Sequence, residues 1–192
     1  MTTPAHVETF ISIVVGLALT DVAQSLHRLL RAGRRVRWDL LTPLAALLVT
    51  CAVINTWWTL DRVFSYAVTF AAFLPNFGSL ILLYLLASAT LPDKVPDEGL
   101  DLKAYYLENR TYFWGLFVLW ALALVANEAA LSAAQGRPAA RIFAAAWPNL
   151  PFIALFALLM WTRRRWLHGA VLVVTLVVIV GSWAFNNPTP PT

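Results

Sequence analysis

Charged residues are scarce in this sequence. They make up 12% of its 192 residues, whereas a typical soluble protein carries about 25%. Hydrophobic residues make up 60% and are gathered into runs of the length that crosses a bilayer as a helix, about 20 residues. This composition excludes an ordinary soluble domain and predicts an integral membrane protein. We expect it in the cell membrane, which in a bacterium is the inner membrane.

Cysteine and histidine are also scarce, which excludes several cofactors. Cys51 is the only cysteine, so the chain forms no internal disulfide and no thiolate metal cluster. The three histidines fall near the membrane surfaces, so a haem held between two histidines is not expected. A retinal Schiff base requires a lysine within a span, and both lysines, Lys94 and Lys103, fall in a loop. We therefore predict no cofactor and no metal.

The motifs of common enzyme classes are missing as well. The sequence contains no HExxH, GxSxG or P-loop motif and no paired acidic motif. An intramembrane enzyme would require Asp21 and Glu128 to face a shared cavity, and their expected depths oppose this. We predict no enzymatic activity.

The sequence does contain six apolar runs. We predict helical spans at residues 9–30, 40–60, 63–91, 111–134, 142–162 and 168–185. The first run is expected to remain as a span because residues 1–9 lack the basic start of a signal peptide. Only helices or a closed barrel satisfy the backbone in lipid, and runs such as 170–180 lack the alternation of a barrel. The predicted fold is all-α, a polytopic transmembrane helical bundle that forms a single membrane domain over residues 1–192.

The distribution of Lys and Arg predicts the orientation of the spans. Of the 14 such residues, Arg62, Arg137 and Arg141 fall on one side and the other eleven on the opposite side. Because cytoplasmic loops carry the excess of positive charge, we expect both termini outside and the loop 92–110 in the cytoplasm. Topology explains the two basic clusters without a nucleic-acid partner. Six arginines in them are expected to contact anionic lipid: Arg34, Arg35, Arg37, Arg163, Arg164 and Arg165.

Asp21 is the principal candidate functional residue. It lies in the inner half of the first span, where an ionised carboxylate facing lipid would cost several kcal/mol, so it should be paired, hydrated or protonated. Ser25 and Arg28 follow at helical spacing, and Gln24 and His27 lie on a neighbouring strip. One hypothesis is a cation or proton site that includes Asp21, Ser25, Gln24 and His27. The alternative is an anchor in which Asp21 bonds to Ser25 or to another helix.

A second set of polar residues maps to the outer third of the membrane: Asn55, Asn127, Glu128 and Asn149. Glu128 is a candidate for the floor of an outward-facing cavity, with Arg62 or Arg141 as its counter-charge. The alternative is that the fourth span ends near residue 126, which leaves Glu128 among the lipid headgroups.

Small residues and prolines mark places where helix packing or geometry is expected to change. Gly16 and Thr20 form a small-xxx-small pattern that predicts close helix packing. A kink or a short unwound segment is expected in the third span, and a disturbed outer half in the fifth. Simple packing kinks are the alternative. The residues concerned are Pro75, Asn76 and Gly78 in the third span, and Pro148 and Pro151 in the fifth.

The loop 91–110 is the one substantial connection. Asp101 has the position of an N-cap for a helix in which Leu102, Tyr105, Tyr106 and Asn109 share a face. This segment either lies in the membrane interface or continues directly into the fourth span.

These features favour a small transporter or channel for an ion or small solute. The alternative is a non-catalytic membrane subunit or sensor that acts through a protein partner, with the loop 91–110 and the basic inner face as contact surfaces. The sequence is compatible with a homo-oligomer and with a membrane partner protein.

Overall fold

Helices make up nearly all of the structure. The computed structural model describes the backbone of residues 5–64 and 70–186, and the side chains within residues 9–59 and 74–183. Two 3-10 turns, Gly33–Arg35 and Trp147–Asn149, and two short strands, β1 Val36–Arg37 and β2 Leu100–Asp101, connect the helices. The predicted helical fold is confirmed. The helices in this part of the chain are α1 Ala5–Ala32, α2 Leu41–Phe64, α3 Phe70–Ser88, α4 Leu102–Ala134, α5 Ala139–Ala146, α6 Leu150–Trp161 and α7 Arg165–Asn186.

Most of the helical runs have the length and composition of membrane spans. The third predicted span corresponds to α3, in which Leu74–Ser88 is a shorter apolar helix, and residues 65–69 of that prediction lie outside the described residues. Large apolar side chains such as Leu17 and Val177 are exposed on the outside of the bundle. The chain is therefore a multi-pass membrane protein. Five runs are long and apolar enough to cross a membrane: Thr9–Arg35, Leu41–Thr59, Leu102–Ala134, Ala139–Trp161 and Arg165–Trp183.

Helix α4 connects the two sides of the bundle. It packs against α3 and α6, while α1 packs against α2 and α3, and α2 packs against α7. Aromatic rings fill the space between α4 and α6. Trp114 stacks on Phe156 at a centroid distance of 5.5 Å, and Phe117 meets Phe156 edge-on at 4.9 Å. Because lipid is as apolar as these rings, such contacts stabilise the bundle through close packing.

At one end of the bundle, the connections between the helices contact each other. We call this the basic end, because it carries both arginine clusters, and the opposite end the far end. β1 and β2 pair in parallel, with Val36 opposite Leu100. The connection between α3 and α4 thus packs against the one between α1 and α2. Three ion pairs reinforce the basic end: Arg28 with Asp93 (3.7 Å), Arg35 with Asp97 (3.3 Å), and Arg165 with Asp39.

Helix α4 begins earlier than the predicted fourth span. The Asp101 side chain accepts hydrogen bonds from the backbone N–H groups of Lys103 (2.8 Å) and Ala104 (3.2 Å), so the predicted N-cap is confirmed. The helix then continues for 33 residues to Ala134. Of the two arrangements predicted for the segment after Asp101, the structure has the one in which the capped helix continues directly into the fourth apolar run. Lys103, Glu108 and Arg110, which precede the apolar run, are good helix formers, so the helix extends back to the Asp101 cap.

The prolines affect the third and fifth spans differently. Helix α3 runs without interruption through Pro75 and Gly78, so an unwound segment is not formed there. Proline removes one N–H donor, and the remaining helical hydrogen bonds suffice to continue the helix. In the fifth span, the 3-10 turn that contains Pro148 separates α5 from α6. Pro151 lies in the first turn of α6, where a missing N–H is tolerated.

Candidate functional site

Asp21 bonds to a second helix. The Ser88 hydroxyl, at the end of α3, donates a hydrogen bond of 2.5 Å to Asp21 Oδ2. Asp21 is half-buried because it lies at the edge of the α1 face that packs inward, next to buried Val22. A carboxylate has several acceptor positions, so the bond to Ser88 leaves capacity for a cation. The same bond has the form that the predicted helix anchor requires.

Ser25 and Arg28 extend this polar contact towards the basic end. Arg28 Nη2 donates to Ser25 Oγ over 2.8 Å and lies 3.7 Å from Asp93 Oδ1. Ser25 is buried between the helices, whereas the Asp93 side chain is 73% exposed. These are two groups of contacts, Asp21 with Ser88 and Arg28 with Ser25 and Asp93, and both involve α1 and the end of α3 or the loop that follows. We call the two groups together the polar column, and its members are Asp21, Ser88, Ser25, Arg28 and Asp93.

The charges of the polar column do not balance. Of its two carboxylates, Asp93 pairs with the guanidinium of Arg28, whereas Asp21 has no cationic partner among the described side chains. Arg28 also has a buried Nε without a hydrogen-bond partner among the described residues. When both carboxylates are ionised, the column therefore carries one net negative charge, at a depth where uncompensated charge is costly.

Gln24 and His27 do not join Asp21. Both side chains are exposed on the outward face of α1, together with Thr20. Helical periodicity explains the separation, because Asp21 and Ser25 lie towards the inward-packing face and their neighbours lie on the opposite one. Of the four residues predicted to form this site, only Asp21 bonds to α3, while Ser25 is buried and bonds to Arg28 of its own helix.

The predicted outer polar set is divided among three places. Asn55 Oδ1 accepts a 2.9 Å hydrogen bond from the Trp183 indole, which joins α2 to α7. Asn127 Nδ2 donates to Ser79 Oγ over 2.9 Å, which joins α4 to α3. Glu128 is exposed and accepts a weak 3.4 Å bond from Ser132. The set does not form one cluster.

Glu128 lines a small cleft between α4 and α5 at the far end. Asn149 lies on the same cleft, and its amide donates to the Ala145 carbonyl oxygen at 3.4 Å. The cleft volume is about 30 Å³, enough for about one water molecule. Arg141, one of the predicted counter-charges, is exposed, and the side chain of Arg62, the other, lies outside the described side chains. Asp21 is remote from this cleft, because Ser79 and Ser88 mark heights on α3 that differ by nine residues, roughly 13 Å.

Sequence reasoning missed a buried network around His168. This side chain is fully buried. Its Nε2 lies 3.1 Å from the Thr162 carbonyl oxygen, which can only accept, so Nε2 carries the proton. Nδ1 then accepts from the Tyr106 hydroxyl and the Trp114 indole N–H, each at 3.1 Å. Every ring nitrogen is satisfied, so the network serves to join α4 to α7 and offers no lone pair to a ligand.

No sequence signal pairs His168 with Tyr106, because they are 62 positions apart. For Asp21, the signal that could have suggested Ser88 as a partner is its hydroxyl near the end of the third apolar run. Among the described residues, no group of three His, Cys, Asp or Glu side chains is close enough to hold a metal ion.

Comparison with known proteins adds no assignment to this geometry. No protein-family model, no curated protein and no solved structure matches the chain.

Proposed function

We propose that the chain crosses the cell membrane six times, with the basic end in the cytoplasm and both termini outside. The positive-inside rule supports this orientation, because both arginine clusters lie at one end of the bundle. Single cysteines placed in a Cys51→Ser background test it. Gln135→Cys, at the far end, should react with an impermeant thiol reagent added outside intact cells. Glu98→Cys, at the basic end, should react only after the membrane is opened, and the reverse pattern contradicts the topology.

Within this topology, we propose that the protein is a small transporter or channel in which Asp21 binds a cation or a proton. The observation that carries the proposal is that Asp21, a half-buried carboxylate in a span, bonds to the Ser88 hydroxyl and has no cationic partner among the described side chains. A bound cation or proton would neutralise that charge. No enzymatic reaction is assigned to the chain.

The Ser88 hydroxyl can bond to Asp21 in both the charged and the neutral state of the carboxyl group. In the carboxylate state, the hydroxyl donates to Asp21, as observed. In the protonated state, the carboxylic acid can donate to the same hydroxyl oxygen, because serine both donates and accepts. The contact between α1 and α3 can therefore persist through binding and release.

Flux measurements in proteoliposomes test the proposal. Asp21→Asn removes the charge and keeps the shape, so flux of the transported cation or proton should be lost while the protein remains folded. Asp97→Asn is the matched control, because Asp97 is exposed and pairs with Arg35 outside the polar column. If wild type and Asp21→Asn show the same flux of protons and of each alkali cation, Asp21 is not the binding site.

A second candidate function is that of a membrane subunit or sensor that acts through a protein partner. The observation that favours it is the fixed shape of the connection between α3 and α4. The β1–β2 pair and the Arg35–Asp97 ion pair hold this connection and leave Glu98 and Lys94 exposed. Purification in mild detergent should then recover a second protein with the chain, and Glu98→Lys with Lys94→Glu should release it. Retention of that protein by the charge-reversed variant would contradict this interface.

A further inference from the structure

The outward face of α1 is polar over more than two turns within a membrane span. Thr20, Gln24 and His27 are exposed and make no hydrogen bond within the described part of the chain. In hydrocarbon no water is available to these groups, and an unsatisfied polar side chain is costly there. Thr20 and Gln24 therefore require a partner beyond the described part of the chain.

The same face permits another helix to approach closely. Gly16, Thr20, Ala23 and His27 are separated by four, three and four residues, so they follow one line along α1. All four are exposed, and apart from the neighbouring backbone of α1 itself, no described atom lies within 4 Å of the position that a Cβ atom at Gly16 would occupy. The packing predicted for Gly16 and Thr20 is therefore not made by any helix that the structure describes. We call Gly16, Thr20, Ala23, Gln24 and His27 the α1 seam.

We propose that the α1 seam is the interface of a homodimer, in which α1 packs in parallel against α1 of a second copy. Two copies inserted in the same orientation are related by a two-fold axis along the membrane normal. Each residue near that axis then meets its own counterpart at the same depth.

The composition of the α1 seam fits this arrangement. The Gln24 amide and the Thr20 hydroxyl each donate and accept, so each can bond to its own copy. Gly16 and Ala23 have no large side chain to keep two backbones apart. The seam between Gly16 and Gln24 carries no formal charge, so like charges do not meet at the hydrocarbon centre.

The homodimer does not rest on the proposed transport function. Asp21 bonds to Ser88 of α3 and Ser25 is buried, so pairing of the α1 seams leaves both residues inside each copy. Flux measurements test transport, and disulfide trapping tests the homodimer. A chain that transports but is monomeric, or one that is dimeric but does not transport, would therefore contradict only one of the two proposals.

Disulfide trapping of the full-length chain in native membranes tests the proposal. In a Cys51→Ser background, Thr20→Cys should form a covalent homodimer on mild oxidation. Val177→Cys is the matched control, because Val177 is exposed at a comparable distance from the basic end, on α7, and it should remain monomeric. Equal trapping at both positions, or trapping of Thr20→Cys to a protein of another mass, overturns the homodimer.

A second measurement guards against an effect on folding. Gly16→Leu meets open space within one chain, so the variant should fold, yet it should keep two copies of α1 apart. The mass of the wild-type protein in detergent should be that of two chains, and Gly16→Leu should be monomeric. Gln24→Leu should weaken association by roughly three- to twentyfold, the range of a single interhelical hydrogen bond in membranes. A monomeric wild type, or a dimer unaffected by Gly16→Leu, contradicts the proposal.

Discussion

Trp114 donates its indole N–H to Nδ1 of His168 over 3.1 Å, and both side chains are fully buried. The two residues lie on α4 and α7, near the basic end. The same indole also lies 3.2 Å from the Tyr106 hydroxyl. These bonds fix the position of α7, which otherwise packs mainly against α2.

Removal of this donor should destabilise the bundle. Trp114→Phe keeps an aromatic ring, but it deletes the N–H and leaves a small cavity beside Phe156. We expect a loss of about 2 kcal/mol in the free energy of unfolding. Unfolding by a denaturing detergent in mixed micelles measures it. Trp166→Phe is the control, because Trp166 is 68% exposed, and an equal loss in both variants would show that the network contributes nothing.

Gly99 should tolerate no side chain. Its φ is +100°, and a Cβ atom there would lie 2.9 Å from the Arg35 backbone oxygen. Because a backbone atom cannot move aside cheaply, Gly99→Ala should cost about 2 kcal/mol or more and loosen the β1–β2 pair. Gly33→Ala shares a positive φ but meets open space, so about 1 kcal/mol is expected. Thermal unfolding of the two variants should rank them in this order, and the opposite ranking refutes the close contact.

The hydrogen bond between Asn127 and Ser79 should couple α4 to α3. A double-mutant cycle with Asn127→Ala and Ser79→Ala isolates its contribution to stability. We expect a coupling energy of about 0.6 kcal/mol, as is typical of hydrogen bonds between membrane helices. A cycle of Asn127→Ala with Thr50→Ala supplies the baseline, because the Thr50 hydroxyl bonds within its own helix. Additive losses in the first cycle would mean that the two side chains do not interact.

The ion pair of Arg165 with Asp39 should stabilise the start of α7 only slightly. Arg165 is 43% exposed on its side chain, so water and salt screen the pair. Arg165→Gln should cost about 0.5 kcal/mol at low salt and less at high salt. The neighbouring Arg164→Gln should cost nothing measurable, because no ion pair of Arg164 is present among the described side chains. Equal and salt-independent effects of the two substitutions would contradict an electrostatic contribution.

Prediction from sequence succeeded where the signal is local. The helices follow from apolar runs of the length of a bilayer, and the Asp101 cap follows from one side chain and the two N–H groups beside it. Hydropathy alone does not give the start of α4, because it detects the membrane and not the end of a helix; the Asp101 cap gives it. The polar residues 103–110 interrupt the apolar run while the backbone remains helical.

The candidate site was predicted only in part, because its contacts join distant parts of the chain. Asp21 could be singled out as a carboxylate in an apolar run, and Ser25 by its helical spacing. Ser88 is 67 positions from Asp21, and only the packing of α3 on α1 brings them together. Gln24 and His27 were grouped with Asp21 because neighbouring residues on a helix cannot be assigned to a buried or an outward face until the partner helix is known.

By itself, the sequence determined that this protein resides in a membrane as a bundle of helices, with positive charge gathered beside particular spans. Hydropathy and charge act on each segment separately, so no tertiary contact is required to recognise them. Only the tertiary structure decided the rotation of each helix about its axis. That rotation turns Asp21 towards Ser88, buries His168 between Tyr106 and Trp114, and leaves Thr20 and Gln24 on the outside. It depends on the packing of many side chains from several helices at once, and no single segment carries that information.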